Sequence, residues 1–242
     1  MQLLLPVTLN PRLSFDTFVE PEKSSGLITS VLKEGIDESE FTFYLIVGSD
    51  DVGKSHILNA CCHHANRKGK TSMLMPMEQV IGLPTETIDG LEKVDVLCID
   101  DLNLVLKDHD WQIAIFNLFN SMQQNKSTLI ISSNVLPAEM EITLPDLASR
   151  MQWGTLFQLT GLNNDEKVKA LITHANDMSF ELPEDVAKLM LNRLPRKMSF
   201  LMQALYLLSR QTIEKNAKSP CHLPKKYWKF KLFWSLLFDN IA

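Results

Sequence analysis

The chain has 242 residues, of which 45% are hydrophobic, and this is enough for one large domain or a large domain with a small partner. The formal net charge is −5, so the protein surface, taken as a whole, does not favour binding to nucleic acid. No apolar run approaches the roughly 18 residues that a membrane-spanning helix needs, and nothing resembles a signal peptide. The four cysteines have no C-x-x-C spacing, so we expect a cytoplasmic protein with reduced thiols.

The first residues of the chain are more apolar than a frayed terminus requires. Gln2, Leu3, Leu5 and Pro6 fit either an edge strand of the chain's own domain or an extended peptide in a partner's apolar groove. The pattern alone favours the edge strand.

Two phenylalanines, Phe15 and Phe18, follow the first segment at a spacing of three residues. They either flank the base of a nucleotide or belong to the core. A short helical pattern that ends near Val31 comes next.

An apolar run then enters a glycine-containing loop and leaves into a helical pattern, which is the sequence context of a phosphate-binding P-loop. Gly48 and Gly53 allow the backbone to turn its N–H groups toward phosphate, and the positive end of the following helix faces the same point. In this motif Lys54 reaches the β- and γ-phosphates and Ser55 binds Mg²⁺. We therefore predict a nucleotide site at this loop.

Polar residues follow two buried apolar runs further along the chain. Asp100 and Asp101 end one run and Asn134 ends another, and the carboxyl ends of parallel strands meet at one edge of a sheet. One carboxylate there can hold Mg²⁺ and the second can orient the attacking water, while Asn134 can reach the γ-phosphate. The loop itself carries Asp50 and Asp51, whose side chains we expect to face solvent and to lower phosphate affinity.

Short apolar runs alternate with amphipathic helices through most of the chain, and helices alone follow. After the first strand, the pattern predicts strands at 72–76, 94–101, 128–134 and 155–159, and helices at 55–67, 108–124, 163–177, from Pro183 as the first helical residue, and at 198–217. The cluster at 61–64 has too few residues on one helical face for a metal site. These elements predict an α/β fold with a parallel sheet flanked by helices and a small helical lid.

Several motifs together resemble the AAA+ ATPases of the DnaA/Hda family, most of all its Hda branch. They are the loop 48–55, residues 99–101, 132–134, 144–150 with 153–154, and 180–186, Arg196, and the Gln-Leu-x-Leu-Pro peptide at 2–6. The resemblance implies a clamp-binding peptide in 1–12, an AAA+ nucleotide-binding domain at 13–161 and a helical lid at 162–217. A tail at 218–242, rich in lysine and aromatic residues, does not fit the family. Its composition suits single-stranded nucleic acid or an acidic membrane surface, but also a poorly ordered extension or a packing helix.

The resemblance also assigns a role to each candidate residue. In the family pattern Lys54 and Ser55 match Walker A, and Asp100 matches Walker B. Asn134 matches sensor 1, Arg196 matches sensor 2, and Phe15 and Phe18 match the segment that lines the adenine pocket. Arg150 matches the arginine finger, and the peptide of Gln2, Leu3, Leu5 and Pro6 matches the one that binds the DNA polymerase sliding clamp. The implied ligands are ADP or ATP with Mg²⁺ held by Ser55 and Asp100.

The function implied by the resemblance is regulatory inactivation of DnaA. A clamp-bound, ADP-bound protein would stimulate hydrolysis of the ATP carried by DnaA through Arg150, and it would contact DNA mainly through the clamp. The complete P-loop leaves open weak intrinsic ATPase activity and a self-assembling ATPase of the initiator or helicase-loader type. A non-hydrolysing adaptor gated by nucleotide is the third reading.

Overall fold

The computed structural model describes residues 9–22 and 27–214. The clamp-binding peptide expected at 2–6 and the tail at 218–242 lie outside the described residues. The chain divides between Gly161 and Leu162 into two compact units.

The first unit is built on a five-stranded parallel sheet. Its strands are β1 (Thr42–Val47), β2 (Ser72–Pro76), β3 (Val96–Asp100), β4 (Thr128–Ser133) and β5 (Thr155–Gln158). They lie in the order β2-β3-β4-β1-β5, so the P-loop strand β1 is next to β4 and one strand away from β3. This order brings the carboxyl ends of β1, β3 and β4 to one edge of the sheet.

Helices cover both faces of the sheet. They are α1 (Ile28–Asp37), α2 (Lys54–Arg67), α3 (His109–Gln124) and α4 (Pro145–Met151), with short 3₁₀ turns in the β2–β3 connection and after β3. In β1, Phe43, Leu45 and Val47 pack in the core that includes α3, while Tyr44 and Ile46 pack in the core that includes α1 and α2. Burial on both faces explains why the central strands are almost continuously apolar.

Helix α1 is longer than the sequence pattern suggested, since it runs to Asp37 and not to Val31. Ile28, Leu32 and Ile36 are fully buried at helical spacing. The backbone N–H of Ile28 donates to a carboxylate oxygen of Glu20 at 2.6 Å, so the helix start is satisfied from eight residues upstream.

The second unit contains α5 (Asn164–Asp177), α6 (Glu184–Arg193) and α7 (Met198–Glu214) around their own apolar core. Asn163 and Glu166 form a capping box at the start of α5. The sequence pattern predicted Pro183 as the first residue of α6. In the structure Pro183 is the N-cap, and the helix begins one residue later, at Glu184. In the part of the chain that the structure describes, no helix is both long and apolar enough to cross a bilayer.

Candidate functional site

The loop between β1 and α2 is shaped by two glycines. A Cβ at Gly48 would lie 2.8 Å from both the Leu159 carbonyl oxygen and a Val52 methyl carbon, so only glycine fits there. Gly53 has a φ of +104°, which is left-handed and favours glycine. Asp51 is also left-handed, with a φ of +66°, a conformation that Asp tolerates better than most residues.

Lys54 is the first residue of α2 and its side chain turns back into the loop. The Nζ donates to the carbonyl oxygens of Gly48 at 3.0 Å and Ser49 at 3.1 Å, and to Oδ1 of Asn134. It also lies 3.5 Å from Oδ1 of Asp101. Only 5% of the lysine is exposed. A buried ammonium surrounded by oxygens is thus fixed at the centre of the site.

Asp100 and Asp101 differ sharply in environment although they are adjacent. Ser132 on β4 donates its hydroxyl to the buried Asp100 carboxylate and accepts the backbone N–H of Asp101 at 2.8 Å. Asp101 adopts a left-handed turn, with φ of +54°. Burial and then the neighbouring Asp100 charge raise the pKa of Asp101, although Lys54 acts in the opposite direction. Sequence reasoning included Ser132 only as part of the motif at 132–134 and gave it no role of its own.

Asn134 lies directly after β4 and connects the P-loop with the turn that follows β3. Its amide oxygen accepts from Lys54, and its Nδ2 donates to Oδ1 of Asp50 at 2.9 Å. Its backbone N–H donates to Oδ1 of Asn103 at 3.0 Å. Asn103 was not predicted, and nothing in its local sequence distinguishes it from a turn residue.

The groups gathered here are of the kinds that bind a nucleotide phosphate and Mg²⁺. Gly53 supplies no side-chain cap to α2, which leaves the first-turn N–H groups for an anion. Ser55 is exposed on that turn, and the carboxylate of Asp100 faces the same edge from β3. The loop, the ammonium and the hard oxygen ligands therefore fit phosphate with Mg²⁺.

The two phenylalanines expected near the adenine lie at different points along α2. A Cβ on Gly53 would lie 3.3 Å from the Phe18 ring, and Phe18 packs edge-on against His56. Phe15 instead packs against His64, about 15 Å further along the helix axis than Lys54. The structure therefore brings Phe18, but not Phe15, to the P-loop.

The Cys61–His64 cluster does not converge on one point. Cys61 and Cys62 are fully buried. His63 bonds the Asn10 carbonyl oxygen at 2.8 Å, and His64 bonds Asp37 at 3.0 Å. In the ranges 9–22 and 27–214, no three His, Cys, Asp or Glu side chains are grouped so that they could hold a metal ion.

Arg150 lies in the last turn of α4 on a surface made of aromatic rings. Its guanidinium carbon is 4.1 Å from the Trp153 ring centroid, 5.5 Å from that of Phe119 and 6.0 Å from that of Phe116. Its Nη1 donates to Oε1 of Gln123 at 3.3 Å. Arg150 is half-buried and Trp153 is 57% exposed, so this arginine lies at the protein surface.

Arg196, assigned to sensor 2, lies in the second unit between α6 and α7, and it is exposed. Its carbonyl oxygen accepts a hydrogen bond from Lys167 at 2.8 Å.

The sheet order, the P-loop on the central strand β1, the acidic end of β3 and the separate helical unit define a AAA+ protein with a lid. Residues 84–158 match the family model described as the bacterial DnaA ATPase domain, and residues 164–218 match the model described as the Hda lid domain. The chain is a DnaA/Hda-related AAA+ protein of the replication-initiation family, as the sequence motifs suggested.

Solved structures support the same fold. Domain III of the Thermotoga maritima initiator DnaA is 20% identical, with a TM-score of 0.75 over 97% of this chain and 98% of that chain. AMPPCP-bound DnaA from Aquifex aeolicus is 23% identical, with a TM-score of 0.68 over 86% of this chain and 68% of that chain. The Thermotoga maritima RuvB branch-migration motor is 13% identical, with a TM-score of 0.61 over 87% and 68%. The predicted fold class is confirmed.

Proposed function

We propose that this chain is a nucleotide-bound regulator that stimulates hydrolysis of the ATP carried by DnaA and so limits re-initiation of replication. It acts in the cytoplasm, tethered to the sliding clamp by Gln2, Leu3, Leu5 and Pro6, and it meets DNA mainly through the clamp. In this proposal the P-loop holds ADP or ATP with Mg²⁺, and Arg150 acts on the nucleotide of DnaA.

Nucleotide binding is supported by the residues around Lys54. Phosphate oxygens can replace the carbonyl oxygens of Gly48 and Ser49 as acceptors for the ammonium. Ser55 and Asp100 would hold Mg²⁺, which neutralises phosphate charge when bound. The AMPPCP in the Aquifex aeolicus relative is consistent with this assignment.

The observation that carries the proposal is the placement of Arg150. Its guanidinium is held by Gln123 and by the rings of Phe116, Phe119 and Trp153. Lys54 is held by a different set of residues, namely Gly48, Ser49, Asn134 and Asp101. The guanidinium therefore shares none of these partners with the P-loop lysine, and it lies at the protein surface. An arginine held this way can complete a neighbour's site by neutralising charge that develops during γ-phosphate transfer.

The test is the fraction of ATP-bound DnaA that becomes ADP-bound after incubation with this protein and DNA-loaded clamp. We expect Arg150→Ala to remove the stimulation, because an arginine finger contributes about 10³-fold or more to such reactions. Arg67→Ala is the matched control, since Arg67 is exposed and pairs with the exposed Asp16 at 3.3 Å. Equal stimulation by the Arg150→Ala and wild-type proteins would refute the proposal.

Clamp tethering is tested separately. Replacing Gln2 and Leu5 with Ala should abolish co-purification with the clamp while the melting temperature stays unchanged. Clamp binding that survives this double substitution would rule out the peptide as the tether.

A self-assembling ATPase is the second candidate, and the complete P-loop with Asp101 close to Lys54 favours it. Phosphate release by the purified protein alone distinguishes it from the regulator. Loss of that intrinsic turnover in Arg150→Ala would mean that the arginine serves another copy of this chain. If Arg150→Ala changes no hydrolysis rate but partner binding still depends on nucleotide, the chain is an adaptor.

A further inference from the structure

The P-loop brings two carboxylates of its own to a site built for phosphate. Asp50 and Asp51 are both exposed, as expected, but Asp50 is not simply solvated. Its Oδ1 accepts a hydrogen bond from Nδ2 of Asn134 at 2.9 Å. The oxygen of the same amide accepts from Lys54. A continuous chain of hydrogen bonds therefore runs from the Asp50 carboxylate through Asn134 to the lysine ammonium.

This chain fixes the orientation of the Asn134 amide. With Nδ2 on Asp50 and Oδ1 on Lys54, the amide presents its oxygen to the ammonium, which is the group that reaches the β- and γ-phosphates in a P-loop. A phosphate that approaches Lys54 must compete with that oxygen. It must also compete with Asp50 for the amide N–H groups.

The charge of Asp50 acts in the same direction. Four carboxylates, those of Asp50, Asp51, Asp100 and Asp101, lie in or next to the loop that holds Lys54. Burial and then the Asp100 charge raise the pKa of Asp101, and the charge of Asp50 adds a smaller effect in the same direction. ATP carries one more negative phosphoryl group than ADP, and in the proposed nucleotide site it is the group that Asn134 can reach. Coulomb repulsion by a fixed carboxylate therefore acts more strongly on ATP than on ADP.

We propose that Asp50 is a specificity-determining residue that lowers affinity for ATP relative to ADP, by holding the Asn134 amide and by repelling the terminal phosphate. The inference rests on the proposed nucleotide site and concerns which nucleotide that site prefers. Under this proposal, the choice between ADP and ATP in the resting protein depends on one side chain in the P-loop.

The experiment measures dissociation constants of ADP and AMPPCP, each with Mg²⁺, by isothermal titration calorimetry on the full chain. AMPPCP prevents hydrolysis from entering the result. Asp50→Asn removes the charge but keeps an oxygen that can accept from Asn134, whereas Asp50→Ala removes both. Asp51→Asn is the matched control, because it removes the same charge from the same loop, and Asn tolerates the left-handed backbone there.

We expect Asp50→Asn to improve AMPPCP affinity relative to ADP by about threefold to tenfold, the range expected for one partly screened charge. Asp50→Ala should improve the ratio at least as much, and Asp51→Asn clearly less. An unchanged ratio in Asp50→Asn, or an equal gain in Asp51→Asn, overturns the assignment to Asp50. If the wild-type chain binds neither nucleotide, the proposed site fails as well, so the two failures are distinguishable.

Discussion

The rings on which the guanidinium of Arg150 lies restrain it in a way that suits the role proposed for it. A cation 4.1 Å from the centroid of an exposed indole is attracted by roughly 0.5–1 kcal/mol, and by more when a partner excludes water. An arginine on a flexible stem loses rotamer freedom when it binds, and prior restraint lowers that cost. We therefore propose that Trp153 positions Arg150.

Replacing Trp153 with Leu should reduce stimulated hydrolysis of DnaA-bound ATP about threefold to tenfold, because the guanidinium loses its ring but keeps its charge. Trp153→Phe should restore most of the rate. Single-turnover hydrolysis is the measurement, and the melting temperature shows whether the contact between Trp153 and Phe119 matters for folding. Equal rates for Trp153→Leu and wild type would mean that the ring does not position Arg150.

The carboxylate of Asp95 joins the starts of two neighbouring strands, β2 and β3. Its Oδ2 accepts both the backbone N–H and the hydroxyl of Thr71 at 2.7 Å, immediately before β2 and β3 begin. These hydrogen bonds, the hydroxyl first, hold the pKa of Asp95 below its usual value. Because the folded pKa is the lower one, the ionised carboxylate stabilises the protein above the unfolded pKa, and this contribution is lost as pH falls through the folded pKa.

We expect Asp95→Asn to lower the free energy of unfolding at pH 7 by about 0.5–1 kcal/mol, since the carboxylate is exposed. The difference from wild type should shrink as the pH is lowered below about 4. Urea denaturation at a series of pH values provides the measurement, with Asp89→Asn as the control for charge in the same connection. A difference that stays constant with pH would contradict this account of Asp95.

At the scale of elements, α4 is tied to α3 by a buried side chain. Gln112 on α3 is 1% exposed. Its amide oxygen accepts the backbone N–H groups of Thr143 and Leu144 at 3.0 and 2.9 Å, and its Nε2 donates to the Leu106 and Glu141 carbonyl oxygens at 2.6 and 3.3 Å. Gln112 thus holds the segment that leads into α4, the helix that carries Arg150.

Gln112→Leu keeps the volume but removes the acceptor of two part-buried N–H groups and the donor to the buried Leu106 carbonyl. We expect a loss of about 1–3 kcal/mol in the free energy of unfolding, because a buried polar group left without its hydrogen bond costs about that much. Asn117→Leu, on an exposed position of the same helix, should change it by no more than about 0.5 kcal/mol. Chemical denaturation of both variants tests the difference, and similar losses would show that Gln112 is not special.

The elements themselves were largely predictable because they depend on local patterns. The apolar runs of β1, β3 and β4 and the glycine stop after α2 are visible in the sequence, and the predicted α/β class is confirmed. The partners of the site residues were not predictable, since Gln112 meets Thr143 and Asn103 meets Asn134 across about thirty residues. Side-chain pairing at that separation follows from the packed fold and leaves no periodic signal.

At the scale of the whole molecule, nucleotide binding should appear as a change in stability. A ligand that binds only the folded state at 100 times its dissociation constant stabilises that state by about 2.7 kcal/mol. For a unit of the size of Met1–Gly161 this corresponds to a rise of roughly 5–10 °C in melting temperature. Lys54→Ala should remove the rise, because the ammonium is the cation at the centre of the site.

The role that the family resemblance implies for Arg196 makes a separate prediction for the second unit. If this exposed arginine contacts the nucleotide, ADP will also slow amide hydrogen exchange in α5 and α6, because opening of the lid then competes with ligand binding. Arg196→Ala should abolish that protection and leave the protection of α2 largely intact. Arg193→Ala, three residues earlier, is the matched control. Protection of α5 and α6 that persists in Arg196→Ala would assign the coupling between nucleotide and lid to other residues.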